Sequence, residues 1–296
     1  MKSETSESWS TTTDDFLAGL RERDGADEDQ LSLVRRCLDL YSGLNLLPGD
    51  KDVALHECCA NRKECWGGIS TELANPRHGG VAAPWVGPGY AEAPVRIMAV
   101  SQNLANWGGL DGHWFVGREN VARLAEGRTA FAGTNGEWVG RCVRLMMASY
   151  LGEPLPDYPN QGDASTDRPE LAKAWNQCCF TEAVKCSPAR EGCTPTEHMF
   201  STCPSFLLKE EIEILDPHVV VLLSRRSQGP VAEALGKSDP WVWGGAIDRW
   251  AFPKAGGRNR ELFALANRQT GKSDLRTIYS RVTARLEETP VGQFAN

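Results

Sequence analysis

The sequence lacks three features that would each point to a particular class of protein. Its 296 residues contain no apolar run of about 18 or more residues, so no membrane span is expected. Its first residues, MKSETSESWSTTTDD, are polar and acidic and do not resemble a signal peptide, so we expect a cytoplasmic protein. It also lacks an excess of basic residues. The net charge of −7 argues against a generally basic nucleic-acid binder, although not against a local basic groove.

Cysteine, in contrast, is abundant, with 10 residues in the chain. Because no export signal accompanies them, these cysteines favour metal ligation or buried thiols over a disulfide framework. Cys186 and Cys203 flank a loop and the start of an amphipathic helix within CCFTEAVKCSPAREGCTPTEHMFSTCPSFLLKEEIEILDPHVVVLLS, residues 178–224. From this spacing alone a metal site, a disulfide and a chance pair all remain open.

The alternation of apolar runs with amphipathic segments predicts an α/β protein with three layers, α/β/α, around a central, mostly parallel four-stranded sheet. We expect a disordered tail at 1–13, an N-terminal helical extension at 14–55 and the main domain at 56–296. The predicted strands are Val95–Val100, Phe180–Val184, Val219–Leu223 and Ala246–Phe252. Leu151–Ala172 is expected to be a surface insertion, and Gly256–Arg260 a loop that opens a helix.

Several segments, in the same order along the chain, resemble motifs of the uracil-DNA glycosylase superfamily, in particular its iron–sulfur branch. Thr181–Cys186 (TEAVKC) is similar to the family motif TNVVKC, and Cys203-Pro204 and the strand Val219–Ser224 follow it as in the family. Trp114–Asn120 (WFVGREN) is similar to the loop PFVGRAG. The resemblance covers roughly Cys58–Asn267. It implies a monomeric enzyme that binds DNA, flips a base out of the stack and hydrolyses its N-glycosidic bond.

This resemblance implies a [4Fe-4S] cluster held by four cysteines, with zinc the less favoured alternative. The late pair of ligands would be Cys186 and Cys203. The early pair would be Cys59 and Cys65, with Cys58 the rival for the first place, because the family's early pair is usually more closely spaced. The cluster would be structural and would hold the early cysteine segment against the loop near the DNA.

The resemblance also indicates catalytic residues. In the loop after the first strand, Asn103 would position water against the sugar carbon, and Gln102 stands where the iron–sulfur branch has a Glu. Lys254–Arg260 (KAGGRNR) is similar to the second motif HPSGRNR, with Lys254 in place of the His and able to stabilise the departing base. The residues expected to contact DNA are Arg258, Asn259 and Arg260.

Glu182 stands where the family has the Asn that reads the polar edge of uracil. A carboxylate would repel uracil O4 unless it were protonated, whereas it accepts well from the N4 amine of cytosine. A protonated Glu182 could also donate to cytosine N3. We therefore expect a modified cytosine, such as the hydroxymethylated or glucosylated bases of some phage DNA. Phe115, Trp114 or Trp107 would stack on the flipped base.

Two other functions remain open at this point. One is a uracil-DNA glycosylase of base-excision repair that tolerates these substitutions. The other is a catalytically inactive, iron–sulfur DNA-binding module. For the two residues themselves, the alternatives without a function are a Glu182 side chain that faces solvent and an Asn103 that only closes a turn.

Overall fold

The computed structural model describes residues 13–44, 46–47, 60–61, 64–65, 81–102, 110–131, 133–159, 166–185, 195–237, 247–254, 259–265 and 275–292. Helices α1 (Thr13–Asp24) and α2 (Glu28–Gly43) come first. The elements that follow are β1 (Trp85–Val86), β2 (Ile97–Ser101), α3 (Gly112–Ala125), α4 (Thr134–Leu151), α5 (Arg168–Asn176), β3 (Cys178–Glu182), α6 (Glu197–Cys203), a π-helical segment (Pro204–Leu208), α7 (Lys209–Leu215), β4 (Val219–Leu222), α8 (Arg225–Ala234), β5 (Ile247–Phe252), β6 (Arg260–Leu265) and α9 (Leu275–Glu288). No helix within these ranges is long and apolar enough to cross a membrane.

The strands in the described ranges form one six-stranded sheet with the order β1-β3-β2-β4-β6-β5. The neighbours β3, β2, β4 and β6 run parallel to one another, and β1 and β5 are antiparallel strands at the two edges. Ser101 pairs with Glu182 and Val219 with Glu261. The prediction of an α/β fold with a mostly parallel sheet is confirmed, and its four parallel strands lie at the centre.

The identity of the last parallel strand differs from the prediction. Ile247–Phe252 is an antiparallel edge strand, and the last parallel strand is Arg260–Leu265, whose first residue was expected to belong to a loop that opens a helix. The apolar residues 262–265 are buried there. Glu261 is buried with them because the guanidinium of Arg249 lies 2.5 Å from its carboxylate.

The helices pack on both faces of the sheet. α3 contacts β1 and β3, and α4 contacts β2, whereas α8 contacts β4 and β6. The expected N-terminal helices are present, and the Gln30 side chain of α2 donates to the Val86 carbonyl over 2.7 Å. The interpretation of Leu151–Ala172 as a surface insertion is wrong in its last part. α5 begins there, packs against α3 and α4, and buries Trp175.

A buried polar network fixes the end of β3. The carboxylate of Glu211, on α7, accepts a hydrogen bond of 3.1 Å from Thr181 and lies 2.5 Å from the ammonium of Lys185. The hydroxyl of Tyr41, on α2, donates to the other carboxylate oxygen. Burial, together with the neighbouring Glu211 charge, raises the pKa of Tyr41 well above its ordinary value, so the phenol stays a donor. The network therefore joins α2, β3 and α7.

Glu211→Ala should destabilise the fold strongly, because the Lys185 ammonium would be left buried without its counter-charge. A loss of about 3–5 kcal/mol in the free energy of unfolding is expected from the usual cost of breaking a buried pair. Denaturant unfolding followed by circular dichroism measures it. The control is Glu210→Ala at an exposed position of the same helix, which should change stability by no more than about 0.5 kcal/mol. Equal losses in the two variants would contradict the role of the network.

Candidate active site

Glu182 ends β3 beside the last residue of β2. Its neighbour Thr181 points to the Glu211 network, and because side chains alternate along a strand, Glu182 points to the opposite face of the sheet. Ser101, its register partner, donates from Oγ to Glu182 Oε1 over 3.3 Å. Glu182 is only 3% exposed. The structure therefore places this carboxyl group inside the protein, at the carboxyl end of the parallel strands, and not in solvent.

The imidazole of His113 faces Glu182. His113 is the second residue of α3, is fully buried, and its Nε2 lies 3.7 Å from Glu182 Oε2. Its Nδ1 lies 3.0 Å from the Ala83 carbonyl oxygen. α3 approaches the sheet closely because Gly117 has no side chain. A Cβ there would lie 2.2 Å from the Trp85 ring. The sequence reasoning missed His113, whose only signal is that it immediately precedes the WFVGREN segment.

Gln102 joins the ends of two parallel strands. Its side-chain oxygen accepts a 3.2 Å hydrogen bond from the hydroxyl of Ser224, which follows β4. Its backbone carbonyl accepts from the Val184 N–H over 3.1 Å. Asn103, the predicted water-positioning residue, is the next residue in the chain and lies outside the described residues, as does Trp107. Its role stays a prediction, but the strand end that precedes it lies at the Glu182 site.

The two described aromatic candidates differ in burial. Trp114 is 1% exposed, donates from its indole to the Pro84 carbonyl over 2.9 Å, and packs edge-to-face on Trp85. It belongs to the core, so the expectation that it could stack on a base is corrected. Phe115 is partly exposed and lies under the Arg118 guanidinium, whose carbon is 5.7 Å from the ring centroid. Its stacking on a flipped base stays a prediction.

Lys254 and Arg260 lie at the amino ends of the parallel strands, opposite the carboxyl ends where Glu182 lies. Both contact the carboxylate of Asp216, which precedes β4, with distances of 2.5 Å from Lys254 and 3.1 Å from Arg260. Arg96, just before β2, also contacts it over 2.7 Å. These residues mark the amino ends of the parallel strands, and a five-residue strand such as β2 spans on the order of 15 Å. Lys254 would therefore lie out of reach of a base bound at Glu182, so its predicted action on such a base is corrected.

The three residues predicted to contact DNA, Arg258, Asn259 and Arg260, belong to the same segment. Arg260 is 1% exposed and its guanidinium also pairs with Glu213, so its charge is neutralised inside the protein. This corrects the expectation that Arg260 contacts phosphate. Asn259 is exposed, and because it directly precedes Arg260 it also lies at the amino ends of the strands. Arg258 lies outside the described residues. The DNA contacts of Asn259 and Arg258 stay predictions.

The predicted cluster ligands Cys65 and Cys203 lie together. Both are buried in one small apolar cluster, defined by Cys65, Val184, Met199, Phe200 and Cys203. The hydroxyl of Thr196, at the start of α6, donates to the Cys65 carbonyl over 3.1 Å. Cys59 and Cys186 lie outside the described residues, although Cys186 follows Val184 by two positions. Two thiols in an apolar shell suit a soft metal centre, so these residues fit the predicted iron–sulfur group.

Other cysteines are separated from this small apolar cluster. Cys178 and Cys179 lie on β3 in the main core, and Cys142 lies in the same core on α4. Burial raises the pKa of all three thiols well above the ordinary value. They therefore remain protonated and pack as small apolar side chains.

Comparison with known proteins agrees with this architecture. A parallel sheet whose carboxyl edge carries the polar residues, with helices on both faces, defines an α/β domain of the type that binds ligands at that edge. The family model of the uracil DNA glycosylase superfamily matches residues 88–268. The chain belongs to this superfamily, whose members are DNA glycosylases. No curated protein matches the chain.

The lowered pKa of Asp216 gives a prediction for stability at acid pH. Partial burial by itself would raise this pKa, but hydrogen bonds from Lys254 and Arg260 and the charge of Arg96 outweigh it. The stabilisation is therefore present above the ordinary Asp pKa of about 3.9 and is lost as the pH falls through the lower, folded-state value.

Asp216→Asn should accordingly lower stability at neutral pH, and the difference from wild type should shrink in the acid range. Asp216 has a φ of +49°, a conformation that Asn adopts readily, so the substitution removes charge without adding strain. Urea unfolding at pH 7 and pH 3 measures the difference. The exposed control Asp157→Asn should stay within about 0.5 kcal/mol of wild type. A pH-independent difference for Asp216→Asn would contradict the account.

Proposed function

We propose that the protein is a DNA glycosylase that excises a modified cytosine-type base. Candidates are hydroxymethylcytosine and its glucosylated forms, which occur in some phage DNA, so the biological role would be defence against such phages. The observation that carries the proposal is the buried Glu182 carboxyl group at the carboxyl edge of the sheet. A site that offers a buried carboxylate oxygen suits a base that presents an amine.

The polar edge of the base supports this choice. Cytosine presents its N4 amine as a donor, which a carboxylate accepts, whereas uracil presents O4 as an acceptor at the same place. Ser101 already donates to Glu182 Oε1, so Oε2 is the oxygen left to receive a base donor. Uracil would bind well only with Glu182 protonated. Uracil excision in base-excision repair is therefore the second candidate, and the substrate experiment separates the two.

The proposed reaction is hydrolysis. The bond between the sugar C1′ and the base nitrogen breaks, and the base leaves with the bonding electrons. Water adds to C1′ and loses a proton, and the departing base gains one, so the base is released as a neutral molecule. An abasic site remains in the DNA. Asn103 would hold the water by its side-chain oxygen, because an amide cannot act as a base and an oxocarbenium-like sugar needs orientation more than strong base.

We also propose that Cys59, Cys65, Cys186 and Cys203 hold a [4Fe-4S] cluster, with Cys58 an alternative to Cys59. The small apolar cluster that contains Cys65 and Cys203 supports this, because an apolar shell protects such a centre from solvent. Its contribution would be structural. It would hold the early cysteine segment against the start of α6, close to Lys185 and the end of β3.

Wild-type protein should release a modified cytosine from duplex or single-stranded oligonucleotides and leave alkali-labile abasic sites. The Asn103→Ala variant should lose excision by about a hundredfold or more while keeping its DNA affinity, because only the water loses its position. Mass spectrometry of released bases and gel-shift titration measure the two quantities. Asn176→Ala, away from the carboxyl edge, is the control and should behave as wild type.

Two results would contradict the proposal. Abasic sites in uracil DNA alone would establish the uracil activity instead. DNA binding without release of any base would establish a binding module.

Anaerobically purified protein should contain iron and acid-labile sulfide in about equal amounts. Cys203→Ser should lose most of both, whereas Cys178→Ala should keep them, because Cys178 lies in the main core. Colorimetric iron and sulfide assays on the two variants measure the contents. Zinc without sulfide in the wild type would replace the iron–sulfur centre by a zinc site. Equal iron loss in both variants would point to unfolding rather than ligand loss.

A further inference from the structure

His113 carries a buried nitrogen that the fold leaves without a hydrogen bond. The Ala83 carbonyl can only accept, so Nδ1 must carry the hydrogen in that 3.0 Å contact. The ring is also held edge-to-face by Phe180, with 5.5 Å between the centroids. Its orientation is therefore fixed from two sides. In the described part of the chain, Nε2 has no hydrogen-bond partner.

Nε2 of His113 and Oε2 of Glu182 lie side by side, so one edge of a ligand could bond to both. These two atoms are 3.7 Å apart, which is too long for a hydrogen bond between them. Buried polar atoms in folded proteins are normally satisfied, so an unsatisfied nitrogen beside a carboxylate indicates a place for a bound group. Such a group must offer two adjacent polar atoms, one for each residue.

We propose that His113 is a second base-reading residue, which donates from Nε2 to pyrimidine N3 while Glu182 accepts from the exocyclic amine. This inference rests on the proposed function. Cytosine has an acceptor, N3, next to a donor, its N4 amine, and the pair matches it when His113 is an imidazolium and Glu182 a carboxylate. Uracil has the reverse order, N3–H next to O4, and needs a neutral His113 and a protonated Glu182.

Both states hold one proton on the pair, so selectivity depends on which residue carries it. The ion pair that matches cytosine carries no net charge, which limits the cost of burying it. The two residues thus form a reader in which cytosine and uracil require opposite positions of a single proton.

At the start of α3, Asp111 pairs with Arg23 and Arg118 pairs with Asp24 of α1, so these charged groups are paired away from His113. Of the elements that pack against α3, β1 has no charged residue. On α5, Arg168 is bonded to Glu137, and Lys173 and Glu170 pair with each other at the surface. Within the described ranges, Glu182 is therefore the titratable group that faces the ring.

Two substitutions separate reading from structure. In His113→Asn, the amide nitrogen can replace Nδ1 as the donor to Ala83, but nothing replaces Nε2. In His113→Gln, the amide nitrogen can replace Nε2, but it cannot titrate. We expect His113→Asn to lower kcat/KM for a hydroxymethylcytosine oligonucleotide about tenfold or more with little change in thermal unfolding. His113→Gln should recover part of this rate.

A second measurement keeps this test separate from the proposed hydrolysis. Histidine ¹⁵N NMR, with His113 assigned from the variants, should show a protonated Nε2 when the free base 5-hydroxymethylcytosine is added, and no such signal with uracil. If wild type excises the base but His113→Asn matches its rate and pH profile, the reading role is overturned. A bare Nε2 in the presence of 5-hydroxymethylcytosine overturns it as well. Failure of excision with the expected NMR signal overturns the hydrolysis alone.

Discussion

The opposite orientation of Thr181 and Glu182 is the constraint on which the site depends. Thr181 belongs to a fully buried network with Glu211 and Lys185. Because side chains alternate along a strand, Thr181 cannot move to the other face of the sheet unless Glu182 changes face as well. Because breaking a buried pair costs several kcal/mol, a register shift of β3 that would release Glu182 is strongly disfavoured. The charged network on one face therefore keeps a second carboxyl group buried on the other.

The rest of the fold supports this arrangement from both sides. Tyr41 brings the N-terminal helix α2 into the network, so this helix is part of the support for β3. On the other face, the close approach of α3 to Trp85 at Gly117 brings His113 to Glu182. The site is thus assembled by packing of the core. A ligand that reaches a buried carboxyl group held in this way would have to bond to it, because an unpaired buried polar group is costly.

Most of the fold could be predicted from the sequence, because apolar runs and motif spacing are local signals. The strand Val219–Leu222 is where the pattern places it, and Cys178–Glu182 lies two residues earlier than the predicted Phe180–Val184. The last parallel strand was missed because it opens with Arg260 and Glu261, charges that resemble a loop until Glu213 and Arg249 are seen beside them.

The same non-local pairing explains the errors in the site. A basic segment resembles a DNA contact when its acidic partners are distant in sequence, as Asp216 is from Lys254. His113 was overlooked for a related reason. Its neighbours Ala83 and Glu182 come from other segments, so no local pattern indicates that His113 lies beside Glu182. Glu182 could be identified in advance because a collinear motif fixes its position. What the sequence alone could not establish was its burial.

The central claim is that Glu182 selects the base through its amine. The most direct test is the ratio of hydroxymethylcytosine to uracil released from a mixture of the two oligonucleotides, compared between wild type and Glu182→Gln. A glutamine amide can turn to serve either edge, so the account predicts that the variant loses about tenfold or more of the preference for hydroxymethylcytosine. An unchanged ratio in a folded, active variant would contradict it.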